Sequence, residues 1–368
     1  MKYTPIAEGF VTQRQPGTPT SQTAGSRCVA RATGELACSF MAQAGSGLND
    51  FKPMISWSQD QGLTWSEPRL IWPALQDRCS IFGSISGAPN GDLYYYGMRT
   101  PIDRPGEPAW SEATRGLKQN ELIWTRSRDF GRTWEDLQVI PMPIPGSAEA
   151  AGPLCVTRAG DLVCCYAPYP TFDPAVVVAT NQVVCLTSRD GGRTWTHRAM
   201  LSFPQPDANG AESWVIELAD GRLLGTGWHI HGDESLSNAY ALSTDGGRTW
   251  SPTLATGTLG QSTGLGLLPD GRVLFVYNQR KHGTVGVWLA VAAPTEAGFG
   301  MAANAPVWRA EVAVRGNAVA DFKDWTSFAF GEPSATALTD GTVLVTFWVS
   351  QPSGHGIRYV KLRLDPDA

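Results

Sequence analysis

Short apolar runs punctuated by polar, glycine-bearing turns set the rhythm of this chain. Residues 93–96, 162–166, 223–226 and 273–277 are almost continuously apolar, as expected of short strands covered on both faces. Each follows a turn with Gly-Asp, Asp-Gly or Gly-Glu, and the turn glycines Gly34, Gly91, Gly160, Gly221, Gly271 and Gly341 lie 50 to 70 residues apart. A second pattern interleaves with these turns. S-x-D-x-G-x-T-W occurs at 58–65, 127–134, 188–195 and 243–250. Its Asp can accept backbone N–H bonds, its Gly is free to take φ > 0, and its Thr-Trp pair enters a strand, so each copy predicts a hairpin tip.

Four copies sharing five residue types mark a repeat protein, and six turn units at this spacing suit four-stranded blades. The motif is the Asp-box, and through it the chain resembles the sialidase-like β-propellers. The predicted fold is all-β: one six-bladed propeller over residues 1–368, each blade running inner strand, turn, second strand, loop, third strand, Asp-box, outer strand. The fifth and sixth units lack the box, and residues 292–300 offer the fifth another turn. The alternating run 357–364 reads as a third strand, so residues 3–12 are expected to supply the last blade's outer strand and close the ring.

Composition narrows the partners. A net charge of −5 and a pI near 5.6 give nucleic acid or an anionic membrane no general attraction. Residues 1–15 hold no apolar run long enough for a signal sequence, and seven cysteines without metal-ligand spacing read as reduced thiols. A cytoplasmic protein without cofactor or metal is the expectation, its oligomeric state open. The Asp-box carboxylates and tryptophans are read as scaffold. Trp57, Trp214, Trp228, Trp288 and Trp325 remain as faces on which a sugar can stack.

In a propeller the inner strands converge on the axis. Seven to eleven residues before the turn glycines the units offer Arg27, Glu149, Glu212 and Glu332, with Glu212 and Glu332 at the same offset of nine. An unpaired carboxylate in so buried a strand costs several kcal/mol, so these residues need a partner or a task. The resemblance implies roles. Arg27 matches the arginine that opens the first inner strand in sialidases, Asp50 the acid/base Asp ahead of the first Asp-box, and Glu212 the Glu before the fourth-blade turn. Arg280 falls in the region of a further substrate-binding arginine.

Two positions depart from the family pattern. Where the second clamp arginine is expected after Glu212 the chain reads Gly227-Trp228-His229-Ile230-His231, without an Arg, and Glu332 stands where the nucleophilic Tyr is expected. Both departures argue against ordinary sialic acid, although Arg78, Arg99 or Arg104 can replace an arginine from a loop. The leading expectation is an exo-acting glycosidase for a terminal, acidic sugar. Asp50, Glu212, Glu332 and Glu149 are its catalytic candidates, and Arg27, Arg78, Arg280, His229 and Trp228 its substrate-binding candidates. A looser resemblance to exo-arabinanases pairs Glu149 with Glu212. The rivals are a non-catalytic glycan- or protein-binding propeller and a uronate lyase using Arg27, His229 and Tyr166 or Tyr169. His229 and His231 with Asp233 or Glu234 form a weaker metal candidate. The long 100–118 loop is read as solvated, with a pocket rim or subunit contact as the alternative.

Overall fold

The same turn recurs six times, and it sets the blades. In each unit two backbone bonds cross it, as between Ala88 and Asp92 and between Gly91 and Ala88, and all six turn glycines take φ between 81 and 88°. A side chain would strain that geometry, which is why glycine recurs at this spacing. The computed structural model describes residues 2–365 as a six-bladed propeller of antiparallel, mostly four-stranded sheets.

The inner strands are Gln22–Ala30, Cys79–Gly87, Ser147–Glu149 with Cys155–Val156, Ala208–Glu217, Gln261–Leu267 and Phe330–Ala337. They pack around the axis, the sixth against the first. The second strands, such as Leu36–Gln43 and Leu162–Tyr169, are buried along their whole length, as their continuous apolarity requires. Lys2–Gln13 pairs antiparallel with Gly354–Asp365, so the last blade takes its outer strand from the start of the chain. Pairing of this kind covers the edge that Gly354–Asp365 would otherwise leave open and ties the two ends of the chain together.

All four Asp-boxes fold alike. In the first, Asp60 Oδ1 accepts from Ser58 Oγ (2.8 Å) and Thr64 N (2.9 Å), Asp60 Oδ2 accepts from Thr64 Oγ1 (2.6 Å), and Gly62 N donates to Ser58 Oγ. Two consecutive residues adopt φ > 0 in each, a turn whose twist matches the flanking strands. The box tryptophans Trp65, Trp134, Trp195 and Trp250 are half-buried against the blades.

The 100–118 loop differs from the simpler expectation. It folds a flap, Trp110–Ser111 on Gly116–Leu117, and its Trp110 packs edge-on to Tyr169, Phe322 and Trp325. Aromatic area and the buried Glu107, bonded by Lys118 and Asn49, hold it in place together. Burial of Trp110 against rings from two other segments makes the loop one wall of the axial pocket.

Candidate active site

Three inner strands bulge at the same place. The register slips by one residue between Ala24 and Arg27, between Ala211 and Trp214, and between Gly331 and Ser334. The first bulged residue is left-handed in each: Gly25 (φ 57°), Glu212 (φ 47°) and Glu332 (φ 45°). These residues stand nine positions before their turn glycines. A bulge re-aims a side chain, and glycine usually occupies this position. A glutamate there is strained by about 1–2 kcal/mol. Glu332 is constrained twice, because Pro333 follows it. Such strain persists where the surroundings over-determine it, and it concentrates at functional sites.

Both strained side chains open into a pocket of about 200 Å³ at one end of the axis. Glu149 joins them because the third inner strand breaks after it, leaving 150–154 irregular. The break lets Gly152 pass close under the fourth blade, where a Cβ would lie 2.1 Å from Ser213 O. Glu149 Oε2 accepts from Glu212 N at 2.9 Å, and Glu332 Oε2 accepts from Gly25 N at 2.7 Å. Burial first, then the charge of Glu212, pushes the Glu149 carboxyl up to about 8, against the pull of that backbone bond. Burial likewise raises Glu332, with Arg27 acting in the opposite direction.

Arg280 also lines this pocket and is 3% exposed. Its Nη1 donates to Gln261 Oε1 (3.1 Å), its Nη2 donates to Phe330 O, and Phe328 covers its face at 3.9 Å. Gly331 makes room for it, since a Cβ there would stand 2.7 Å from Arg280 Nη2. Burial opposes the guanidinium charge, while Glu212 and Glu332 favour it.

The expected residues therefore divide. Glu149, Glu212, Glu332, Arg280 and Trp228 meet at one pocket. Arg27 does not line it. It lies beneath the floor, donating from Nη1 to Glu332 O (3.1 Å) and from Nη2 to Ala151 O (3.2 Å), with its guanidinium 4.6 Å from the Trp214 ring centre. Facing the opposite mouth of the axial channel, it braces the bulged backbone electrostatically from below.

Asp50 also turns away. Its neighbours Asn49 and Phe51 line the pocket, whereas Asp50 Oδ2 accepts from Ala44 N (3.0 Å) and pairs with Lys52 (3.5 Å). Asp50 lies in the loop before the Lys52–Ser58 strand, where no strand register fixes a side chain's direction, so its place ahead of the Asp-box could not settle where it points. Arg78 is exposed outside the pocket. His229 stacks on Phe203 at 4.1 Å on the other side of its strand from Trp228, and His231 pairs with Asp207 (3.1 Å). Asp233 is held by Arg115, so the two histidines and their acidic neighbours do not form a metal site. Among the described residues no group of three His, Cys, Asp or Glu is placed to hold a metal.

Trp110, Trp348 and Phe82 also line the pocket without being marked as site residues by the sequence, and Tyr169, expected only as a lyase base, lines it with them. Tyr169 is 3% exposed, and burial pushes its phenol well up, with Glu149 and Glu212 adding to the rise. No local motif marks these positions. They come from three different blades and meet only when the ring closes.

Fold and pocket together define a sialidase-like six-bladed propeller with a carboxylate-rich axial site. Residues 109–326 match the BNR repeat-like domain, and the chain belongs to that family. It is 30% identical over 248 residues to a sialidase of Micromonospora viridifaciens, a match covering 58% of this chain. The matched region is about a third, 34%, of that sialidase's length. Among solved structures, a protein of unknown function from Dyadobacter fermentans superposes with a TM-score of 0.77 at 19% identity, covering 99% of both chains. A Hadza microbial sialidase gives 0.73 at 18%, covering 97% of this chain and 68% of its own. The NanB sialidase of Streptococcus pneumoniae gives 0.68 at 15%, covering 97% and 70%. At these identities the structural likeness speaks to the fold alone.

Proposed function

We propose that this propeller is an exo-acting glycoside hydrolase in which Glu149 is the acid and Glu212 the ionised carboxylate of the catalytic pair. The observation that supports it most is the Glu149 carboxyl, raised to about 8 in a pocket shared with two further glutamates. Glycoside hydrolysis needs one carboxyl protonated at working pH to donate to the leaving oxygen, and one ionised to act as nucleophile or to activate water. Glu212 lies close enough to Arg280 to favour that guanidinium's charge, and the Glu212 N–H orients the Glu149 carboxyl. A purely structural ion pair would hold Glu149 low and tied, whereas among the described residues it makes no ion pair.

A protein-binding propeller has no need of a carboxyl held protonated by burial. Elimination from a uronate loses two of its proposed parts, because Arg27 lies under the floor and His229 outside the pocket. The test is release of aryl aglycones from a glycoside panel by wild type, Glu149→Gln and Glu212→Gln. Turnover by wild type that falls at least 1,000-fold in both variants supports the pair. Rescue of Glu149→Gln on substrates with activated leaving groups would identify Glu149 as the acid. Undiminished activity in either variant, with folding intact, would remove its role.

A further inference from the structure

The sequence leaves an acidic sugar as the leading expectation, and the pocket's charges point elsewhere. We propose that the pocket takes an uncharged terminal sugar and excludes uronic and sialic acids. This rests on the glycosidase reading and sharpens it to a substrate class.

Recognition of a sugar carboxylate calls for a guanidinium with both fork nitrogens free to bond it in parallel. None of the basic groups around this pocket offers that. Arg27 is below the floor, with both terminal nitrogens donating to backbone carbonyls. Arg280 already donates from Nη1 to Gln261 and from Nη2 to Phe330 O, so it offers no pair of wholly unengaged fork nitrogens, and its unpartnered Nε suits a single hydroxyl or ring oxygen. Lys118 is held at the rim by Asp103 (2.7 Å) and Glu107 (2.5 Å). Arg315 lies behind the rim, its Nη2 donating to Ser46 Oγ and to Thr326 O. Arg115 and Arg99 pair with Asp233 and Glu121.

The negative side of the balance is already filled. Glu212 and Glu332 lie in the fields of Arg27 and Arg280, and Glu149 stands beside them. A ligand carboxylate would be a further like charge beside Glu212 and Glu332 in a weakly solvated space, where like charges repel strongly.

What the pocket does offer is neutral. Trp110, Trp228, Trp325 and Trp348 supply flat apolar faces; among the described residues the indole N–H groups of Trp228 and Trp325 have no acceptor, while that of Trp348 faces the Glu332 carboxyl. Thr23 Oγ1 and Gln43 Oε1 are also without partners among the described residues. Aromatic faces with lone donors and acceptors match the alternating C–H and O–H groups of a neutral pyranose or furanose.

The four pocket tryptophans make the test direct. Tryptophan fluorescence is titrated in the intact protein with methyl glycosides in matched pairs: glucoside against glucuronoside, galactoside against galacturonoside. Arabinofuranoside, rhamnoside and the sialic acid glycoside complete the panel, each also scored for hydrolysis. At least one neutral glycoside should bind tenfold or more tighter than every acidic one. In Glu332→Gln, which removes a competing carboxylate beside the arginines, the acidic partners should gain about tenfold. Tighter binding of any acidic glycoside to wild type would overturn the proposal, as would no binding of any neutral one. Neutral binding without cleavage would sink the hydrolase reading and keep the substrate class. Cleavage of an acidic glycoside would do the reverse.

Discussion

Glu149→Gln tests the acid assignment without any substrate, through the pH dependence of stability. Folding carries the Glu149 carboxyl from its ordinary value of 4.5 to about 8. The folded state thus keeps a proton that the unfolded chain gives up above about pH 4.5. Stability from this group is fully present below pH 4.5, falls as pH rises, and levels off above about pH 8. At about 1.4 kcal/mol per pH unit the whole interval sets an upper bound of about 5 kcal/mol. Glu149 keeps solvent contact through the pocket and shares its field with Glu212 and Glu332, which reduces the expected loss to about 2–3 kcal/mol. Gln has the same shape and no proton to lose. Chemical denaturation at half-unit steps from pH 5 to 9 should show wild type losing about 2–3 kcal/mol that Glu149→Gln retains, with the two curves meeting near pH 5. Parallel curves across that range would show that Glu149 ionises normally, and the acid role would fall with them.

Other expectations follow from geometry. At position 212, Gly should be more stable than Ala by about 1 kcal/mol, since both remove the carboxylate and only Gly is at ease at φ 47°; the reverse order, normal for a strand, would deny the strain. Arg27→Met should lose about 3 kcal/mol in urea unfolding, because Glu332 O and Ala151 O lose buried donors and the glutamates a counter-charge. A change under 1 kcal/mol would show that Arg27 is no brace. Gly152→Ala should destabilise by at least about 1–3 kcal/mol, its Cβ meeting Ser213 O at 2.1 Å, and an unchanged melting temperature would contradict the close approach. Asp129→Ala removes bonds from Ser127 Oγ, Thr133 N and Thr133 Oγ1 at a hairpin tip and should cost about 1–2 kcal/mol with activity retained. Lost activity at full stability would give the Asp-box a role beyond scaffolding.

The sequence alone determined the architecture. Turn glycines and Asp-boxes act within a few residues, so their chemistry is complete locally: Asp60 bonds Ser58 and Thr64, and Gly91 closes onto Ala88. Repetition then gave the blade number, and the apolar runs gave the buried strands. The same repetition placed Glu212 and Glu332 at one offset, where two bulges aim them at one pocket.

Direction and long-range company were decided only by the tertiary structure. Whether Arg27 faces the pocket or the floor depends on a bulge that shifts pairing by one residue, and a one-residue shift sends a side chain to the opposite face. His229 went outward because it alternates with the inward Trp228 along one strand, and Asp50 because its loop turns it onto Ala44 and Lys52, while Asn49 beside it went in. Glu149 became an acid candidate because a break in its own strand and the backbone of the next blade enclose it. Trp110, Tyr169, Trp325 and Trp348 became a wall because closing the ring brings separate blades and loops to one axis. Contacts between residues so far apart in the chain leave no local pattern to read, since only packing of the whole ring pays the entropy of bringing them together.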